Sequence, residues 1–192
     1  MRVSREQAAA NRERILDEAA KLFRERGFRG IGVADLMKSV GLTHGGFYGH
    51  FHSKEDLMAQ ACQHAVNGML KKWRVLAEDN SPNALSQVAA RYLSTKHRDA
   101  PGAGCLIAML GSEIAHQAAP VRGAVTESMN ETLDTLARLM PGKSAAVRRK
   151  KAIAMFASMA GALIMARAVN DPKLSAEILQ VVLETITPIA NR

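Results

Sequence analysis

The sequence predicts an all-α protein of nine helices, and three observations lead there. Apolar residues recur at spacings of three and four along most of the chain, and no alternating strand pattern interrupts them. Aromatic residues make up only 4% while Ala, Leu and Met are plentiful, a composition suited to helices packed on helices. Short breaks built from Gly, Pro, Asn and Asp separate the periodic stretches, and these residues end one helix and begin the next. With 192 residues, 47% of them apolar, the chain can bury a real core rather than stay disordered.

The elements follow in order. Ser4 to Arg26 places Ile15, Ala19, Leu22 and Phe23 on one face, and Gly27 stops it. Val33 to Val40 buries Val33, Leu36, Met37 and Val40. Gly41-Leu42-Thr43 breaks the chain, and Thr43 is an N-cap for a short helix ending near Phe51. Ser53 caps a long helix whose first turn holds Glu55 and Asp56, acids that complement the helix dipole. It runs to about Ala77 and ends in the loop Asp79 to Asn83. Ala84 to Thr95 is the fifth helix, Asp99 to Gly104 a Pro/Gly loop, and Cys105 to about Gln117 the sixth. Pro120 opens the seventh, to Met140; Pro141-Gly142 precedes the eighth, Ser144 to Val169; Asp171-Pro172 precedes the last, Ser175 to Thr187.

Charge and cysteine content narrow the function. The net charge of +8 favours a polyanionic partner. Residues 1–60 nevertheless carry ten basic against eight acidic side chains, so contact with DNA must rest on placed residues rather than bulk charge. Cys62 and Cys105 make neither a disulfide framework nor a zinc cluster, and His50, His52, Cys62 and His64 lack a metal-ligand spacing. GFRGIG, from Gly27, has no strand before it and is not read as a phosphate loop. No nucleophile–base pairing supports an enzyme, and neither a cofactor nor a metal is expected. The charged start of the chain lacks the apolar centre of a signal peptide. The uncharged stretch Ala152 to Ala166 is short for a bilayer span, and the basic run Arg148 to Lys151 before it reads as a solvated helix start. The expectation is a soluble, cytoplasmic protein with no membrane partner.

The most informative segment is residues 27–57, which has the order of a helix-turn-helix built for the DNA major groove. Its second helix is so short that the N-terminal half must meet the base edges. Thr43 offers a hydroxyl and a backbone N–H to a phosphate, and His44 a ring donor to a base or phosphate. Gly45 and Gly46 allow backbone to approach DNA closely. Tyr48, His50 and Lys54 suit phosphate contacts. Phe51 reads as core, and Phe47 as either core or a thymine-methyl contact.

These residues resemble the DNA-binding domain of TetR/AcrR-family transcriptional repressors. The similarity lies in Gly27-Phe28, the buried helix Val33 to Val40, Gly41-Leu42-Thr43, Phe47-Tyr48, His50-Phe51 and Lys54 to Leu57. The resemblance implies a nine-helix TetR-like fold: residues 1–52 as the helix-turn-helix domain, residues 53–192 as a regulatory ligand-binding and dimerisation domain. It also implies phosphate contacts from Thr43, Tyr48, His50 and Lys54, with His44 near the bases. The chain departs from the family pattern twice. Ile31 and Gly32 stand where a capping Ser or Thr is usual, and Gly49 makes a third glycine in the short helix. Three glycines weaken that helix by about 3 kcal/mol relative to alanine, so packing must hold it.

The regulatory half carries the remaining expectations. A homodimer is required if two recognition helices are to reach successive major grooves of double-stranded operator DNA, roughly 34 Å apart. Ala154, Ala157, Ser158, Gly161 and Ala162, with Ile178, Val181, Val182 and Ile186, are the interface candidates, or else monomer core. A cavity for an unidentified small-molecule inducer is expected among Met69, Trp73, Tyr92, Met109, Glu113, His116, Met129 and Met165. Cys105 stands at a helix N-terminus, where the dipole favours the thiolate. GCLIAMLGSEIA is similar to the region around the sensing cysteine of electrophile-responsive family members, in which a basic residue assists; Arg167 falls at that place. The alternative for Cys105 is a small buried apolar residue. At the level of the whole chain, the alternative to a repressor is a helical lipophile-binding protein or enzyme without DNA function.

Overall fold

The computed structural model describes residues 4–78 and 83–190, and every regular element in them is helical. Most of the loop expected over Asp79 to Asn83 lies outside the described residues. The helices are α1 (Arg5–Arg26), α2 (Val33–Ser39), α3 (Lys54–Glu78), α4 (Ala84–Tyr92), α5 (Thr95–Arg98), α6 (Leu106–Ile114), α7 (Ala119–Leu139), α8 (Ala145–Ala168) and α9 (Pro172–Ala190). Two 3-10 turns, His44–Gly49 and Pro101–Ala103, complete the list.

Local chemistry explains the boundaries. Ser4 Oγ accepts from the Gln7 amide at 3.1 Å and starts α1, which Gly27 ends at φ +76°. Gly41 takes φ +71°; its amide donates to Lys38 O and that of Leu42 to Met37 O, the paired bonds that close a helix C-terminus around a left-handed residue. Ser53 Oγ accepts from the Asp56 amide while Asp56 Oδ2 accepts from the His52 amide, a reciprocal cap for α3. α2 starts at Gly32 with no side-chain cap, as the sequence implies.

Several boundaries differ from expectation, among them the end of α6 at Ile114 rather than near Gln117 and the end of α9 at Ala190 rather than Thr187. The helix expected over Ala84 to Thr95 stops at Tyr92, because Ser94 Oγ accepts from the His97 amide and begins the separate turn α5. The last helix opens at Pro172 rather than Ser175: Asp171 Oδ1 accepts from the Lys173 amide at 2.8 Å, and Ser175 is buried, donating to Ala166 O. The recognition segment is a 3-10 helix rather than an α-helix, and Thr43 precedes it without a side-chain cap bond. Gly45, Gly46 and Gly49 supply little α-helical preference to oppose the tighter winding.

α3 packs on α1 at one end and on α7 along its length, so it ties the DNA-reading end to the rest. One apolar cluster continues from Ile15 and Phe23 through Leu57, Leu70 and Leu110 to Leu163 and Leu179. Each such fully buried side chain contributes about 1.5–3 kcal/mol relative to exposure. α8 is long and apolar enough to cross a bilayer, but 44% of that stretch is buried: Met155, Met159 and Leu163 are core while Ile153, Ile164 and Met165 face outward.

Candidate functional site

The recognition turn is built by anchoring one face and freeing the other. Phe47 is buried and stacks on Phe51, ring centroids 5.6 Å apart, and the Arg12 guanidinium lies 5.3 Å from the Phe51 ring centroid. This settles Phe47 as core: with its ring inside, it is not placed for a thymine methyl, which corrects its expected role in base contact. On the free face Thr43, His44, Gly45 and Gly46 are exposed, and Tyr48 is 67% exposed. Tyr48 meets His44 edge to face at 6.1 Å, so the two polar tips share one side of the turn. His50 is half-buried. Lys54 is also half-buried, and its Nζ donates to Ile31 O at 2.8 Å, closing the chain just before the uncapped start of α2. Arg14 Nη2 donates to Val40 O at the other end of α2. Side chains from α1 and α3 thus tie down the chain at both ends of α2, beside the local Gly41 turn that closes its C-terminus.

The second site gathers around Cys105, the N-cap of α6, which is buried and has no side-chain cap bond. Its amide donates to His97 Nε2 at 2.9 Å, while His97 Nδ1 donates to Tyr92 O at 2.6 Å. These two bonds fix one neutral tautomer, and burial above all pushes the His97 pKa down. Arg167 donates from Nε to Arg98 O, from Nη2 to His97 O and from Nη1 to Met109 Sδ. Its Nη2 would lie 2.8 Å from a Cβ at residue 104, so glycine there lets the guanidinium come close to the Cys105 turn. Burial raises the Cys62 thiol to about 12, which makes it inert.

A cleft of about 430 Å³ opens beside Cys105 between α1, α3 and α4. Trp73 and Tyr92 line it, and Tyr92 packs edge to face on His97 at 4.7 Å. A narrower, more enclosed space on the other side of Cys105 is lined by Met69, Met129, Val125 and Phe156. Four expected cavity residues are elsewhere. Glu113 is spent on backbone: its Oε2 accepts from the Phe28 amide at 2.9 Å. Met109 is held by Arg167, His116 is exposed, and Met165 is 56% exposed on the outer face of α8.

Two side chains join the halves in roles that local sequence reading did not assign. Arg24 of α1, 8% exposed, donates through Nε (2.9 Å) and Nη2 to Gly102 O in the turn before Cys105. Glu113 of α6 grips the turn after α1, and its Oε1 would lie 2.6 Å from a Cβ on Gly27. Arg24 Nη1 and the Tyr92 hydroxyl are buried with no hydrogen-bond partner among the described residues. An unmade bond of this kind costs about 1–3 kcal/mol. Burial, then the neighbouring Cys105 thiol, push the Tyr92 phenol well above its ordinary range.

Comparison with known proteins agrees with this geometry. Residues 15–61 match the family described as bacterial regulatory proteins, tetR family. The chain is similar to the HTH-type transcriptional repressor KstR2 of Rhodococcus jostii, 25% identical over 122 residues, covering 64% of this chain and 59% of that protein. It is similar to the HTH-type transcriptional repressor DhaR of a Mycobacterium species, 24% identical over 184 residues, 92% of each chain. The first curated relatives are matched over 30 to 59% of their own length. The crystal structure of reduced NemR from Escherichia coli superposes with a TM-score of 0.79 at 21% identity, over 94% of this chain and 97% of that one, which shows the shared fold.

Proposed function

We propose that this chain, whose residues 15–61 match the tetR family of bacterial regulatory proteins, is a cytoplasmic DNA-binding repressor. It binds a palindromic operator as a homodimer and is released by a small molecule or an electrophile. The observation that carries the reading is the recognition turn, with Phe47 and Phe51 buried beneath it and Tyr48 and His44 presented together on its exposed side. Residues 1–52 are the reading head and residues 53–192 the regulatory half. Thr43 and Tyr48 take phosphates, with His50 and the remaining donors of Lys54 beside them; His44 reaches the bases, and Gly45 and Gly46 let backbone approach.

The outer face of α8 and α9 supports the dimer. Ile153, Ile164 and Met165 on α8, with Leu174 and Val181 on α9, are exposed large apolar side chains, and an apolar groove of about 440 Å³ runs between the helices. A second copy packed there gives the two reading heads their fixed spacing. The same pairing accounts for the bilayer-length apolar character of α8 without a membrane.

Selection from a random duplex library is the direct test. It should enrich an inverted repeat, bound with an affinity that falls steeply with salt, and a chain that enriches no duplex is not a repressor. For release, N-ethylmaleimide should modify Cys105 and lower operator affinity, with Cys105→Ser resistant. A Cys105 adduct that leaves affinity unchanged assigns Cys105 to packing and leaves the cleft as the inducer site.

A further inference from the structure

The cleft between α1, α3 and α4 holds polar groups that reading DNA leaves unused. Three cations, Arg24, Lys72 and Arg91, line it against one acid, Asp17. That acid is already engaged, since His64 Nε2 lies 2.6 Å from Asp17 Oδ1. Deeper in the wall are the two unpartnered donors, Arg24 Nη1 and the Tyr92 hydroxyl. Arg24 is 8% exposed and Tyr92 4%, and both side chains belong to the cleft lining. The guanidinium is held in place by its two bonds to Gly102 O, so its free amino group is a positioned donor rather than a mobile one. The same lining includes the apolar side chains of Met69, Ala65 and Trp73.

We propose that this cleft binds a small organic monocarboxylate, its apolar body against Trp73 and Met69 and its carboxylate accepting from Arg24 and Tyr92. A carboxylate is an acceptor at both oxygens, one for each of the two unpartnered donors. An amide or alcohol of the same shape brings its own N–H or O–H against them. Lys72 and Arg91, both exposed at the rim, draw an anion in from solvent. The cleft volume falls within the range that encloses ligands of this size. Arg24 sits on α1 and ties it to the turn before Cys105, so a carboxylate held on its free Nη1 bears on the link between the cleft and the reading head. The proposal rests on the reading of this cleft as the inducer site.

Trp73, the single tryptophan, lines the cleft and reports occupancy by its own fluorescence. The probes are matched acid and amide pairs: benzoate with benzamide, 2-naphthoate with 2-naphthamide, octanoate with octanamide. In at least one pair the acid should bind about tenfold more tightly than its amide. That preference should vanish in Arg24→Gln and shrink in Tyr92→Phe, which keeps the ring and its packing and so carries the test alone if Arg24→Gln does not fold. No pair favouring the acid, or a preference undiminished in Tyr92→Phe and in whichever Arg24 variant folds, overturns the proposal. Amides that bind as well as acids and still release DNA remove only the anion preference and leave the inducer cleft standing. Silence of Trp73 fluorescence to every probe removes the cleft reading as well.

Discussion

The recognition turn and the Cys105 hub use polar side chains in opposite ways. In the turn, packing is confined to Phe47 and Phe51, and the polar groups stand outside in water, where a partner must come to meet them. In the hub, Arg24 is buried and His97 and Arg167 half-buried; Arg24 and Arg167 bind main-chain carbonyls far away in sequence, and His97 accepts from the Cys105 amide. The difference teaches where a change will be felt. A substitution of an exposed polar side chain in the turn should alter DNA affinity and spare stability, whereas one in the hub should disturb the fold and the coupling between halves together.

The largest effect is expected at Gly27, where the hub meets α1. Gly27→Ala forces a Cβ into the left-handed region and against Glu113 Oε1, and should lower unfolding free energy by about 3 kcal/mol. Adding Glu113→Ala should relieve the clash but not the backbone strain. Denaturant melts that show full recovery in the double variant would place all of the cost in the contact. On the other side of the comparison, Tyr48→Phe and His44→Ala should each weaken operator binding about tenfold, roughly 1.4 kcal/mol, with an unchanged melting midpoint. A shifted midpoint would mean that the exposed face also holds the turn.

Acid should act on the hub. Burial lowers the folded pKa of His97 from its ordinary 6.5, so the unfolded chain takes up its proton first as pH falls through that value. Stability is thus complete above pH 6.5 and declines as pH drops towards the lower folded pKa, where protonated Nε2 can no longer accept from the Cys105 amide. Thermal melts between pH 7.5 and 5.5 should show the decline, and it should be smaller in His97→Gln. The smallest effect belongs to the turn. Nothing lies within 4 Å of a Cβ at Gly49, so Gly49→Ala should stabilise the free protein by up to about 1 kcal/mol, read in the same melts. A loss of stability there would show that the 3-10 winding itself needs glycine.

What the residues determined unaided was whatever depends on near neighbours. Apolar spacing placed the helices, Gly27 and Gly41 ended theirs with left-handed turns, and Ser4, Ser53 and Ser144 capped three helix starts. The order of parts from Gly27 to Leu57 was enough to mark a DNA-reading unit. Tertiary structure alone decided the rest. Phe47 and Tyr48 are adjacent in sequence, yet only the position of Phe51 and α1 turns the first inward and leaves the second outside. Glu113, Met109 and Met165 belong to the same helical pattern as true cavity residues, and long-range contacts assign them to a backbone clasp, an arginine and an outer face. Arg24 reads as one more charge on an amphipathic helix until folding sets it against Gly102, 78 residues away. Periodicity and capping are encoded within a few residues, whereas burial of a charge depends on which distant segment closes over it.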